Sequence, residues 1–298
     1  MSPDSTVKTT VGGRELTVSN LDKVLYPDSG FTKGQMLDYY ARISPFMLTH
    51  LSDRPLTMKR YPEGVQGPFF FEKHAPAGSP DWLARVLVPA RSEHKPIEYI
   101  AICDLPGLMW AANLASIEFH VPLWRAGRRR ILPGPPDHMV FDLDPGDGTS
   151  IVECCIVGLS IVDVLKGRQL HCFPKTSGSK GLQLYTPLRG RPTWDKVRNA
   201  AHQIALQIEQ ELPDLVVSKM RKELRRGKVL IDWSQNHPAK TTVAAYSLRA
   251  RPEPTVSTPV TWQEVADCAD RGRPDLLSFT ADDVLRRVET LGDLFAEV

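Results

Sequence analysis

The sequence predicts an α+β fold. Strand-like runs are joined by hairpin-type turns, amphipathic helices are interspersed among them, and neither regular βαβ alternation nor a strand followed by GxGxxG occurs. The 298 residues suffice for one large core or two small ones, and 42% hydrophobic with 24% charged residues is ordinary for a globular chain. The 25 prolines favour loops and broken strands over long helices.

The elements follow in order. Residues 1–10 are polar and are expected to form a loose N-terminus, with a single domain over 11–298. Thr17–Asn20 leads to a turn at Pro27, Asp28, Ser29 and Gly30. Thr32 then caps a helix reaching about His50, with Leu37, Tyr40, Ile43 and Met47 on one face. LTMKRYPEGVQGPFFFEKHAP reads as two short strands around a turn carrying Gly64 and Gly67. Trp82–Val88 and Ile97–Ile102 read as strands, Leu108–Ser116 as a helix and Ile117–Val121 as a short extended run. His138–Asp144 is a strand ended by Pro145, Gly146, Asp147 and Gly148. Ser150 and Glu153 form a capping box for a helix ending near Lys166 and Gly167. HCFPKTSGSKGLQLYTPL reads strand, Ser/Gly loop, strand. Thr193–Leu212 is a helix with the apolar stripe Val197, Ala201, Ile204, Ile208 and Leu212. Val229–Asp232 and Thr242–Leu248 read as strands, and Trp262–Asp270 and Ala281–Thr290 as short helices.

Bulk properties exclude several classes. The five cysteines (Cys103, Cys154, Cys155, Cys172, Cys268) have no CxxC spacing, so neither a zinc site nor a disulfide framework is indicated. No signal peptide and no apolar run near the ~20 residues of a membrane span occurs, so a cytoplasmic location is expected. At a net charge of +2, nucleic acid would have to be bound in a local groove. Two basic clusters could line one: Lys219, Arg221, Lys222, Arg225, Arg226 and Lys228, and Arg125, Arg128, Arg129 and Arg130.

The chemistry concentrates in three motifs. In MVFDLDPGDG, strand alternation puts Val140, Asp142 and Asp144 on one face and Phe141 and Leu143 on the other. Paired carboxylates repel, and a divalent cation such as Mg²⁺ or Mn²⁺ relieves the repulsion. Alone, a DxD reads more readily as an acid-rich loop, with Asp147 capping the next helix. An EF-hand is excluded because the glycine position of its loop holds Asp147. FPKTSGSKGL supplies backbone N–H groups, hydroxyls and Lys180 that could cradle a triphosphate, although it is not a Walker A loop. KVLIDWSQN ends an apolar strand on Asp232, a third carboxylate suited to two-metal phosphoryl transfer. In Phe69, Phe70 and Phe71, alternation predicts Phe70 buried and its neighbours outward, beside Lys59, Arg60 and Lys73.

With these motifs in order, the chain resembles the archaeo-eukaryotic primase superfamily, and is most similar to the polymerase domain of bacterial ligase D, a repair enzyme of non-homologous end joining, and to stand-alone primase-polymerases. The likeness runs from about Leu16 to Leu294 through LDKVLYP, TKGQMLDYY, PLTMKRYPEG, FFFEKHAP, EFHVPLWR, VFDLDPG, TSGSKGL, VLIDWSQN, KTTVAAYSLRARP and VSTPVTW. It implies a primase-polymerase fold in which two mostly antiparallel sheets form a central cleft flanked by helices. Asp142, Asp144 and Asp232 are implied as metal-binding catalytic carboxylates, with His120 beside them near sugar and phosphates. Ser177, Ser179, Lys180, Gln183, Arg249 and Lys240 would face the nucleotide. Lys23, Lys33 and Lys59 would bind a DNA 5′-phosphate, helped by the helix start after Thr32, and Phe70 and Phe71 would stack on the template. The implied cofactor is Mn²⁺, or Mg²⁺. The implied partners are NTPs or dNTPs, gapped or 3′-overhanging DNA, a separate DNA ligase and a Ku-type end-binding protein at the bacterial nucleoid.

One departure stands out. The resembled loop continues Gly-Leu-His, whereas here it is Gly181-Leu182-Gln183, so weaker nucleotide binding is expected. No ligase or nuclease sequence follows, which points to joining by another protein. Two rival readings stay open: a metal-dependent phosphodiesterase or nuclease, and a DNA-end-binding module with weakened catalysis.

Overall fold

The structure, a computed structural model, describes residues 5–89, 96–126 and 133–298. The chain runs through β1 (Thr6–Val11), β2 (Arg14–Ser19), β3 (Val24–Tyr26) and β4 (Phe31–Thr32) into α1 (Lys33–Leu51). Next come β5 (Thr57–Arg60), β6 (Phe70–Glu72), β7 (Ala84–Val88), β8 (Ile97–Ala101), α2 (Leu105–Asn113) and β9 (Ser116–Val121). Then follow β10 (His138–Pro145), α3 (Ile151–Gly167), β11 (Phe173–Thr176), β12 (Leu182–Pro187), α4 (Trp194–Glu211), β13 (Val216–Val217) and β14 (Val229–Asp232). β15 (Thr242–Val243), α5 (Trp262–Arg271) and α6 (Ala281–Leu291) end the order.

Two sheets build the centre. A five-stranded sheet has the order β11-β12-β10-β14-β13, antiparallel except for the parallel β13/β14 pair, and a four-stranded antiparallel sheet has the order β15-β9-β5-β6. The fold is α+β, with the cleft between these sheets. Strand alternation divides β10 between two cores. Phe141 and Leu143 pack on α3 and α4, while Val140 joins Phe119, Tyr40 and Tyr185 on the cleft side. The stripe Val197, Ala201, Ile204 and Ile208 is buried on α4, and capping boxes at Thr32/Gln35 and Ser150/Glu153 start α1 and α3.

Several expectations change. Thr6–Val11 is not loose: it pairs with β2 in full register, and Gly12 and Gly13 make the turn at φ 54° and 78°. That Gly-Gly pair between two alternating runs was the available signal. Only Thr242–Val243 of Thr242–Leu248 is strand, because the chain turns at Tyr246, whose φ is +67°. Its hydroxyl donates to Asp293 at 2.6 Å, and its small buried neighbours Ala244 and Ala245 imitate a strand in sequence. Phe70 is not buried: Phe69, Phe70 and Phe71 are all exposed, since β6 is a three-residue edge strand covered on neither face. Arg128, Arg129 and Arg130 lie outside the described residues, and Arg125 bonds the carbonyls of Ser52 and Thr49.

Asn236 closes β10 where β14 leaves it. Its amide accepts from Val140 N at 2.9 Å and donates to Val140 O at 2.7 Å. Asn236→Ala would orphan both buried backbone groups, and at roughly 1–3 kcal/mol per group the expected loss is about 3 kcal/mol in urea unfolding. A loss below about 0.5 kcal/mol would contradict this role.

Candidate active site

The antiparallel register of the five-stranded sheet determines the site. Asp142 is the direct partner of Asp232 on β14 and of Gln183 on β12, and Gln183 is the partner of Lys175 on β11. Lys175, Gln183, Asp142 and Asp232 therefore form one row across four strands, on the face turned to the cleft. Asp144 lies two residues along β10 and is exposed to the cleft. Burial, then the negative charge of Asp144, push the Asp142 carboxyl well above the usual range, with Asp232 adding to the effect. Asp144 shifts the same way, through its surroundings and then Asp232.

The DWSQN segment holds these carboxylates in place. Asp232 Oδ1 accepts from Ser234 N at 2.9 Å and Ser234 Oγ at 2.5 Å. The Gln235 amide donates to Asp142 Oδ2 at 3.4 Å and Asp232 Oδ2 at 3.3 Å, spanning the two acids. Among the described residues, no three His, Cys, Asp or Glu side chains are closed up into a metal-ligand cluster. Gln235 Nε2 lies between the two partnered acids. The donors themselves are carboxylate oxygens, which suit Mg²⁺ or Mn²⁺.

A cavity of about 410 Å³ joins the acids to both sheets. It is lined by Asp142, Asp144, Gln183 and the Ser/Gly loop on one side, and by His120, Thr242 and Arg249 on the other, with Arg225 at its edge. A hollow of about 490 Å³ lies on the other side of the same loop, where Asp275 is the only acidic lining residue. The clustered titratable groups mark the smaller cavity as the site.

The Ser/Gly loop is shaped by two glycines. A Cβ on Gly178 (φ +67°) would lie 2.6 Å from Ser257 N, and one on Gly181 would lie 2.2 Å from Leu143 O. The Ser177 hydroxyl accepts from Ser179 N and Gly181 N at 3.2 and 3.1 Å, so it folds the loop over. Arg249 donates to Ser177 O at 2.5 Å, Arg251 bonds the Ser179 hydroxyl, and Lys180 lines the cavity. Gln183 is engaged at both ends: Oε1 accepts from Lys175 and Nε2 donates to Asp142. Lys240 sits at the carboxylates rather than at the loop, 2.5 Å from Ser234 Oγ and 3.7 Å from Asp232 Oδ2.

Glu118 organises the opposite wall. Its carboxylate, 2% exposed, accepts from His120 Nε2 at 2.9 Å and Ala250 N at 3.1 Å, and pairs with Arg249 at 3.3 Å and Lys59 at 3.6 Å. Burial alone would raise this carboxyl, but the His120 hydrogen bond and the Arg249 charge bring it down to about 2. Burial, with the Arg249 and Lys59 charges, lowers His120 despite Glu118. Nε2 is turned to Glu118, so Nδ1 is the ring nitrogen left to accept when the imidazole is neutral.

The predicted DNA contacts divide into two groups. Lys23 and Lys33 are brought together by the β3/β4 pair, with Lys33 N bonded to Lys23 O at 2.8 Å and Lys33 Nζ to Ser19 Oγ at 3.2 Å. Lys59 instead packs on Phe69 (4.2 Å) and Phe71 (5.6 Å) beside Glu118, in the His120 group. Phe71 lies 6.0 Å from the His120 ring, whereas Phe70 covers Arg60 at 5.1 Å on the other face. Sequence reasoning missed Glu118, Lys175, Ser234 and Gln235. All four stood inside quoted motifs without being singled out.

A family model for the LigD primase-polymerase domain matches residues 32–295. The chain belongs to the LigD primase-polymerase domain family. It is a nucleotidyltransferase by that membership. It is 45% identical over 285 residues to the multifunctional non-homologous end joining DNA repair protein LigD of Mycobacterium tuberculosis, a match covering 94% of this chain and 36% of that protein. The bifunctional non-homologous end joining protein LigD of Bacillus subtilis is 29% identical over 279 residues, with 43% of its length covered. The chain thus spans well under half of these curated relatives. The solved polymerase domain of Mycobacterium tuberculosis ligase D in complex with DNA superposes with a TM-score of 0.88 at 44% identity, over 95% of this chain and 97% of that one. Among the described residues, no helix is long and apolar enough to cross a membrane.

The glycine contacts give a direct test. Gly181→Ala would force the Ser/Gly loop off β10, at about 1–3 kcal/mol of strain. A raised KM for NTP with a lowered Tm is expected from steady-state kinetics and calorimetry. Wild-type values for both would show that the loop needs no such close approach.

Proposed function

We propose that this chain is a template-dependent repair polymerase that adds NTPs or dNTPs to a primer 3′-hydroxyl at gaps or double-strand breaks. The observation carrying this reading is that Asp142, the register partner of Asp232, lines with Asp144 the same cavity as the cationic Ser/Gly loop. A divalent cation pair, Mn²⁺ or Mg²⁺, held by Asp142, Asp144 and Asp232 would supply Lewis-acid charge at the attacked phosphate and the attacking hydroxyl. In the reaction, the primer O3′ bonds to the α-phosphorus and the bond to the pyrophosphate oxygen breaks. Lys180 and Arg249 balance the triphosphate charge, and the backbone N–H groups of the loop orient it. In its neutral form His120 would offer Nδ1 to a hydroxyl proton of the sugar or primer. Phe71, with Phe69 on the same face, presents an exposed ring at the cleft rim for stacking on a template base.

Three carboxylates also serve phosphodiester cleavage. The Ser/Gly loop and Arg249 favour transfer from NTPs, because hydrolysis of DNA has no triphosphate for them to hold. The mycobacterial domain was solved in complex with DNA, which supports DNA as the substrate here. Joining would fall to a ligase and end capture to a Ku-type protein, as the end-joining context of the relatives suggests.

Asp142→Ala and Asp232→Ala are each expected to reduce primer extension with Mn²⁺ and NTP by on the order of a thousandfold, with gel-shift affinity for DNA retained. Extension near the wild-type rate by either variant would remove the assignment, and shortening of the primer by the wild type would favour the nuclease.

Lys23 and Lys33 are assigned to a DNA 5′-phosphate. Burial, and then the Lys23 charge, lower the Lys33 ammonium to about 8. Phosphate requires the protonated form, so the gain in affinity from a 5′-phosphate is expected to be full near pH 7, where the phosphate is also doubly charged, and to decline as pH rises through and above about 8. Anisotropy titrations of phosphorylated and unphosphorylated gaps would measure it. An equal pH response of the two substrates would count against the pocket.

A further inference from the structure

Beyond the carboxylates themselves, the row across the sheet contains a buried lysine to which none of the expected roles applies. Lys175 is 1% exposed, and its side chain points along the same face as Gln183 and Asp142. Its ammonium meets Gln183 Oε1 at 2.5 Å and Ser257 Oγ at 2.6 Å, with the Tyr185 ring centroid 5.5 Å away. The Ser257 hydroxyl donates its own proton to Thr176 O at 2.9 Å. Ser257 can therefore only accept from Lys175, and the ammonium is anchored as a donor.

An amide has two chemically opposite ends, and in a metal site the wrong end is costly. Burial draws the Lys175 amine down to about 7 against the pull of Asp142; protonated, it has no acceptor to offer, so Gln183 turns Oε1 toward it. The other end is then Nε2, which donates to Asp142 Oδ1 at 3.0 Å. Reversing the amide would set a carbonyl oxygen against the carboxylate and an N–H group against the ammonium. With Oδ1 occupied, Oδ2 is the Asp142 oxygen facing Asp232, where Gln235 spans the two acids.

We propose that Lys175 is a positioning residue that locks the orientation of the Gln183 amide, so that Gln183 holds Asp142 Oδ1 and leaves Oδ2 for the divalent cation. Lys175 touches neither substrate nor cation: it acts through Gln183. The glutamine at this position then serves the carboxylate rather than the triphosphate. The inference rests on the reading of Asp142 and Asp232 as metal ligands, and partners of metal ligands typically change affinity by roughly 10–100-fold.

The test is direct binding of Mn²⁺ alone, followed by electron paramagnetic resonance, on wild type, Lys175→Met, Gln183→Leu and the double variant. Circular dichroism melting would establish that each is folded. Lys175→Met is expected to weaken Mn²⁺ binding about tenfold, Gln183→Leu by a similar factor, and the double variant no more than Gln183→Leu. Unchanged Mn²⁺ affinity in Lys175→Met would overturn the proposal. So would losses that multiply in the double variant, because Lys175 would then act on Asp142 by its charge alone. Should Lys175→Met not fold, Ser257→Ala loosens the same ammonium: weaker Mn²⁺ binding supports the lock and wild-type affinity refutes it. Wild-type protein that binds no Mn²⁺ would remove the metal reading, and the inference with it, whereas wild-type binding with an indifferent Lys175 would remove the inference only.

Discussion

Asp142 faces Asp232 across β10 and β14, and this close approach of two acids governs how the rest of the site is built. Like charges on neighbouring strands are unfavourable, the more so on a strand whose other face is core. Everything around them supplies compensation. Gln183 and Gln235 donate to Asp142, Ser234 donates to Asp232, and Lys240 stands 3.7 Å away. Asn236 pins the end of β10, so that the register cannot slip. A cation would relieve such a pair, and the Ser/Gly loop proposed to hold a triphosphate lies against the same strand.

The two walls of the cleft are electrostatically different. On the sheet carrying the acids, carboxyls are pushed up by burial and by one another. On the opposite wall, one buried carboxylate, Glu118, is pulled down by His120, Arg249 and Lys59. On the first wall the acids repel one another, whereas on the second a single acid is shared between Arg249 and Lys59. Glu118 thereby fixes the direction of His120 and Arg249, and Arg249 reaches across to the Ser/Gly loop. The Glu118 wall and the Ser/Gly loop are thus joined across the cleft through Arg249.

Much of this was legible in the sequence because it depends on local periodicity. The alternation of MVFDLDP placed Asp142 and Asp144 on one face, and the capping signals at Thr32 and Ser150 located two helices. The Ser/Gly loop was visible as composition, but the reasons for Gly178 and Gly181 were not, since their contacts are Ser257 and Leu143. Residues that act through distant partners were hidden. Lys175 gains its meaning from Ser257, 82 positions away, and Glu118 from Arg249 and Lys59. Phe70 was misread because periodicity assigns faces but cannot say whether an edge strand is covered.

The central claim is that the acids and the Ser/Gly loop form one metal-dependent nucleotide site. Crystals soaked with Mn²⁺ and a non-hydrolysable NTP would test it most directly, by anomalous scattering. The account predicts manganese peaks among Asp142, Asp144 and Asp232, with Gln235 displaced and the triphosphate on the backbone of Ser177 to Gly181. Manganese bound elsewhere, or a triphosphate on the far side of the loop, would contradict it.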